Sequence, residues 1–269
     1  MVFLMMLGGA AQVQPPPTLT QPPTPDVVVR ARTEQAVDRF VAALTQAERG
    51  RQIARWNNHV CPRVIGLPTA DAAFIEKRIA EIARSVGTPV ARGRCAANIV
   101  VVATDDADGF ATSLIRRHPK LFRDPRSGPA TRIDTDRLRQ PRPVRWISAS
   151  RMGNSDYQSA SRLTKTSVES AILSLEIVDT KRLDRITWRQ LADYLALVAF
   201  AQPKIDGDFG KDTILSIFAT RDRGERGPPR LTDQDNSFLQ ALYRSKNAVD
   251  AEVQRSSIRG QMKRDESKD

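Results

Sequence analysis

Histidine is almost missing from this chain of 269 residues: His59 and His118 are the only two. Neither has a partner at metal-ligand spacing, so sites built from paired imidazoles on one helix face are excluded. No histidine stands near a Ser or Cys at a suggestive spacing either, which leaves nucleophilic catalysis without visible support. Both histidines read as plain surface or loop residues. Cysteine is as sparse, with Cys61 and Cys95 alone and no C-x-x-C. In an oxidising compartment such a pair forms one disulfide, whose loop closure contributes about 4 kcal/mol. The other reading is two free buried thiols in a cytoplasmic protein. No apolar run approaches the roughly 18 residues that a membrane-spanning helix needs. P-loop, G-x-G-x-x-G and G-x-S-x-G patterns are all absent.

Positive charge, in contrast, is abundant. Forty-two Lys and Arg against 31 Asp and Glu give +11, which attracts anionic surfaces whatever the fold: nucleic acid, acidic lipid or cell-wall polymer. Between Arg116 and Arg145 stand ten Lys or Arg and only Asp124, Asp134 and Asp136, so most of the excess lies in one stretch. Arg116, Arg117, Lys120, Arg123 and Arg126 are its candidate anion-contacting residues; the alternative is a solvated, solubilising loop. Aromatic residues are few there, only Phe122 before Trp146, so a base-stacking platform is missing. No helix-turn-helix or zinc-finger pattern occurs, and nucleic acid falls behind the other anions.

Residues Met1 to Ala11 are apolar and end in Gly8-Gly9-Ala10-Ala11, similar to the core and cleavage zone of a secretory signal without its basic start. The start of the chain is therefore expected to lie within a longer signal. Gln12 to Pro25 holds six prolines, the composition of an extended, solvated linker. The expected organisation is a signal-like segment and linker over 1–26, one domain over 27–245 with a basic insertion at 116–145, and a charged, partly disordered tail over 246–269.

Within that domain, Thr33 opens a helix with Val37, Phe40, Val41 and Leu44 on one face, ending at Gly50. An irregular strand ends near Leu67, and Thr69 caps a helix with Ile75, Ile79, Ile82 and Val86 on one face. Ala97 to Ala103 is a fully apolar strand, followed by a short helix at 107–117. Val144 to Ala149 reads as a strand weakened by its arginine. Ser170 to Val178 alternates, which predicts one buried face and one wet face. Thr187 and Gln190 form a capping box for Trp188 to Ala201, apolar nearly all round and hence central. A loop with Asp206, Asp208, Gly210 and Asp212 follows; it could offer oxygens to calcium, but it lacks the closing Glu of an EF-hand and reads as a polar turn. Then come Leu215-Ser216-Ile217-Phe218, Leu231-Thr232, Asp235 and Leu242-Tyr243.

The segment from Trp188 to Ser245 resembles the end of a metzincin, nearest the matrixin type and a bacterial zincin-like family of unknown function. In that family the active-site helix carries H-E-x-x-H-x-x-G-x-x-H, then a short Ser-Ile-Met or Ser-Ile-Phe segment and a closing helix. Laid on this helix, the motif puts Ala192 and Ala196 at the first two histidines, Asp193 at the catalytic Glu, Ala199 at the Gly and Gln202 at the third His. Alanine has no lone pair, so the ligand set is absent. Asp193 is expected to be a helix-surface carboxylate or a buried group paired to an arginine. The resemblance implies an α+β, zincin-like mixed sheet with a central hydrophobic helix and a closing C-terminal helix.

These readings combine into an expectation: a periplasmic or secreted bacterial pseudo-protease without metal or cofactor. It would bind an anionic envelope polymer, lipid head groups or a protein partner. The first alternative is an enzyme whose acidic residues, such as Asp193 and Glu176, meet across the old cleft; the second, ranked behind it, is a basic nucleic-acid-binding protein.

Overall fold

The long apolar helix predicted at Trp188 is the element around which the others are arranged. The computed structural model describes residues 34–45, 47, 51–122, 135–154 and 165–266, all within one unit spanning Arg32–Asp269. The signal-like segment and linker, Thr33, Gly50, Arg123 and Arg126 lie outside the described residues.

In chain order the elements are α1 (Glu34–Leu44), β1 (Pro62–Ile65), α2 (Thr69–Ser85), β2 (Ile99–Thr104), α3 (Ala107–Arg117) and α4 (Thr135–Arg139). They continue with β3 (Val144–Asn154), β4 (Ser167–Asp179), α5 (Trp188–Ala201), α6 (Ile217–Asp222), α7 (Asp233–Arg244) and α8 (Ala251–Glu266). The chain is thus α+β. Its four strands form one mixed sheet in the order β1-β2-β4-β3, the first three parallel and β3 antiparallel to β4.

β4 is a central strand, and this overturns the expected wet face. Leu175 and Ile177 point to a cluster with Ala111, Phe122 and Leu138 under α3. Successive strand residues face opposite ways, so Ser174, Glu176 and Val178 face the main core, to which α5 belongs. Ser174 and Glu176 are therefore as buried as their apolar neighbours. The alternation marked two covered faces of different polarity. Arg145, expected to weaken β3, is itself buried, its Nε donating to the Gln140 carbonyl at 2.8 Å and its guanidinium paired with Asp108.

Two helix starts differ in how they are held. The α2 cap position is Pro68, with no side-chain bond, and Thr69 is already helical. The α5 capping box at Thr187 and Gln190 forms as predicted. α7 has a second box, Thr232 with Asp235. Asp235 also reaches back, accepting from Thr213 Oγ1 at 2.5 Å and Ile214 N at 2.8 Å. One carboxylate thereby ties the turn before α6 to the first turn of α7.

The charged segment after Lys246 is not a tail apart from the domain. It forms α8, whose Ile258 and Met262 are buried in the main core, against α1 and α7. The apolar stripe is narrow and set among Arg, Gln and Ser, so composition conceals it. Residues 267–269 lie outside the description.

Cys61 and Cys95 form a disulfide, closing a separation of 34 residues that includes α2. It joins the start of β1 to the loop before β2. Replacing both cysteines by serine is expected to lower unfolding stability by about 2–4 kcal/mol. Urea unfolding checks this, and an unchanged midpoint would show that the bridge constrains little.

Candidate functional site

Every residue of α5 from Leu191 to Ala201 is buried. Ala192, Ala196 and Ala199 are each 0% exposed and sit in the main core. The face that carries these three alanines therefore presents methyl groups to packed side chains. Gln202 ends the helix in the left-handed region at φ 51°, its N–H on the Val198 carbonyl. The next carbonyls are taken by distant donors: Ala199 by Trp56 Nε1 at 2.9 Å and Phe200 by the Tyr243 hydroxyl at 3.3 Å.

Asp193, fully enclosed, is a buried group paired to arginine. Its Oδ1 accepts from Arg78 Nε at 2.5 Å, and Oδ2 from Arg189 Nε at 3.3 Å and Leu231 N at 2.8 Å. These bonds join α5 to α2, to its own first turn and to the segment leading into α7. Removing one side of a buried ion pair typically costs about 3–5 kcal/mol, so this carboxylate is committed to holding three elements together.

Glu176 is in different company. It is 0% exposed; Oε1 accepts from Ser174 Oγ at 3.1 Å and Oε2 has no hydrogen-bond partner among the described residues. Burial, partly opposed by the Ser174 hydroxyl, pushes its carboxyl well above the usual carboxylate range. No hydrogen bond or ion pair joins it to Asp193, so the two candidate acids are not brought together.

Beside α5 a cleft of about 480 Å³ opens between the start of β3, the loop after α5 and α6. Trp146, Tyr194 and Phe218 line it in sequence, ring centres 6.4 and 5.2 Å apart, each pair edge to face. Arg142, Lys211 and Arg223 supply positive charge and Asp208 the opposite. Arg142 donates to the Ile205 carbonyl at 2.8 Å and to Gln140 Oε1 at 2.7 Å, both neutral. Arg223 is held by Glu225 at 3.0 Å. Burial, then the neighbouring Glu176, push the Tyr194 phenol above its ordinary value, while the Arg142 charge pulls it back.

The basic stretch divides in two. Arg137 pairs with Asp206, Arg139 with Asp136 and Arg145 with Asp108, while Arg142 lines the cleft. Arg116, Arg117 and Lys120 remain exposed at and beyond the end of α3, with no ion pair or hydrogen bond to a described residue. Leu121, 39% exposed, lies among them. In the polar turn, Asp206 serves Arg137 and Asp208 accepts from Gly210 N. Among the described residues no group of three or more His, Cys, Asp or Glu forms a metal site, and His59 and His118 are both exposed.

Sequence reasoning missed the cleft and the Arg78 partner of Asp193. Arg189 was readable as an i−4 neighbour on the helix, but Arg78 lies 115 residues away. No known protein family, curated protein or solved structure matches this chain.

Glu176 sets a pH dependence. A folded-state carboxyl with a raised pKa holds its proton more tightly than the unfolded chain does. Its contribution is complete below the unfolded pKa and is lost as pH climbs through the folded value. Relative to a Glu176→Gln variant, the protein is therefore expected to lose melting temperature progressively as pH rises from about 4 to 8. A gap that stays constant across that range would show that the carboxyl is not held protonated.

Proposed function

We propose that this protein is an exported, non-catalytic module with a zincin-like arrangement, binding an anionic component of the cell envelope through Arg116, Arg117 and Lys120. The observation that carries the reading is the commitment of α5. Its alanines are sealed in the core and Asp193 is consumed by two arginines and a backbone N–H. An active-site helix would keep such groups open to substrate.

Further support comes from the order of elements. A mixed sheet is followed by a central helix, then the short α6 and the closing helix α7, an order near the one that the resemblance implies. The Cys61–Cys95 bridge fits an oxidising compartment, and no helix of the described residues is long and apolar enough to cross a membrane. The target is recognised by its charge: phosphate or carboxylate groups on a lipid or polymer surface.

Co-sedimentation with vesicles containing anionic lipid and with isolated cell wall tests this. Binding to at least one is expected at low salt, weakening as salt rises. Reversing all three charges, Arg116→Glu with Arg117→Glu and Lys120→Glu, should reduce the bound fraction about tenfold or more. Indifference to both surfaces at low salt would sink the proposal.

A further inference from the structure

We infer that the cleft beside α5 is a binding site for a small organic anion, a carboxylate carried on an aromatic body. This is a second site, independent of the exposed cations at the end of α3. Its volume of about 480 Å³ lies within the range of small-molecule sites, and its apolar lining with a few convergent polar groups is the usual composition of one.

Three features select the ligand. The first is Arg142, whose terminal nitrogens meet only a carbonyl and an amide oxygen. No carboxylate pairs with it among the described residues, so a fixed guanidinium stands at the wall with its charge uncompensated. A bound carboxylate supplies the missing counter-charge in a partly sheltered place, where such a hydrogen bond is strongest.

The second is Tyr194. Its side chain is 6% exposed and lines the cleft, yet its hydroxyl makes no hydrogen bond with a described residue. A buried phenol ordinarily finds a partner, and here the open side is the cleft. Arg142 is near enough for its charge to act on that hydroxyl, against the opposing influence of the buried Glu176 carboxyl, so one anion can take a hydrogen bond from Tyr194 while facing the guanidinium.

The third is the wall of rings. Trp146 and Phe218 flank Tyr194 edge to face, and Phe209 joins the lining. Aromatic pairs gain beyond burial area, so a ring on the ligand is favoured over an alkyl chain. Lys211, exposed at the lip and in no ion pair with a described residue, adds to the field, though Glu225 lies near enough to feel its charge. Arg223 is taken by Glu225 and contributes less. Asp208 carries the opposing charge at the lip; its Oδ1 accepts from Gly210 N. A dianion is therefore not required, and a cationic ligand is disfavoured.

Calorimetric titration of the full chain with phenylbutyrate, phenylbutanol, phenylbutylamine and octanoate tests the inference. Saturable binding of phenylbutyrate is expected, tighter than the alcohol and octanoate, with the amine weakest. Tyr194→Phe and Arg142→Gln should each weaken phenylbutyrate about tenfold while leaving the alcohol nearly unchanged. Melting temperatures of both variants check that they fold, and Tyr194→Phe keeps the ring. The variant with Arg116, Arg117 and Lys120 reversed should bind phenylbutyrate normally, which separates this site from the envelope-binding surface. The inference is overturned if the carboxylate binds no better than the alcohol or amine, or octanoate binds as well as phenylbutyrate. Full affinity in both folded variants, or no saturable binding into the millimolar range, would also overturn it.

Discussion

A helix buried along most of its length must have nearly every polar group met by the protein itself, and α5 beyond its first turn is such a helix, the Tyr194 hydroxyl at the cleft being the exception. From Leu191 to Ala201 nothing reaches solvent appreciably, so the enclosed Asp193 could not stay ionised without close partners. Arg78 and the Leu231 N–H provide them from two directions. The same constraint governs the end of the helix, where carbonyls that would otherwise face water are met by Trp56 and Tyr243. Those donors come from the segment before β1 and from the end of α7, whose own last carbonyls are taken by Arg55 at 2.7 to 3.1 Å. The satisfaction of one buried helix thus fixes the places of α2, the approach to β1, and α7.

The charge distribution is organised by the same sheet. Arginines of the basic stretch that return toward β3 are drawn into structure: Arg145 is buried, Arg137 secures the loop after α5, and Arg142 stands in the cleft wall. Those at the other end of the stretch, Arg116, Arg117 and Lys120, have no such role among the described residues. A cation near a helix C-terminus is favoured by the backbone dipole, which accounts for Arg116 and Arg117 being tolerated together but not for Lys120 and the exposed Leu121. The two proposed sites draw on different parts of this stretch and on opposite faces of the sheet. α3 covers the Leu175 and Ile177 side, whereas Tyr194 and Trp146 belong to the other.

Much of this was legible from local pattern. The capping box at Thr187, the all-round apolar helix and the 107–117 helix depend on neighbours within a few residues, so the chain declares them. The Cys61–Cys95 pair was legible because no other pairing exists. Long-range relations were not. Ser174 and Glu176 read as wet because polar residues on alternate positions ordinarily face water; only the placement of β4 between β2 and β3 buries them. α8 was hidden by its low apolar content, since Ala251, Ile258 and Met262 suffice as its apolar contribution to the core once α1 and α7 offer a surface. The cleft is the clearest case. Arg142, Trp146, Tyr194 and Phe218 are scattered along the chain, each unremarkable alone, and only their convergence makes a site.

The central claim is that α5 is given over to core packing and offers no ligand to a metal. Elemental analysis of the purified full chain, after incubation with zinc and exhaustive dialysis against metal-free buffer, tests this most directly. With Ala192 and Ala196 sealed in the core and only two distant histidines available, the expected result is far less than one zinc per chain. Stoichiometric zinc surviving dialysis would contradict the account, because ligands would have to come from elsewhere in the chain.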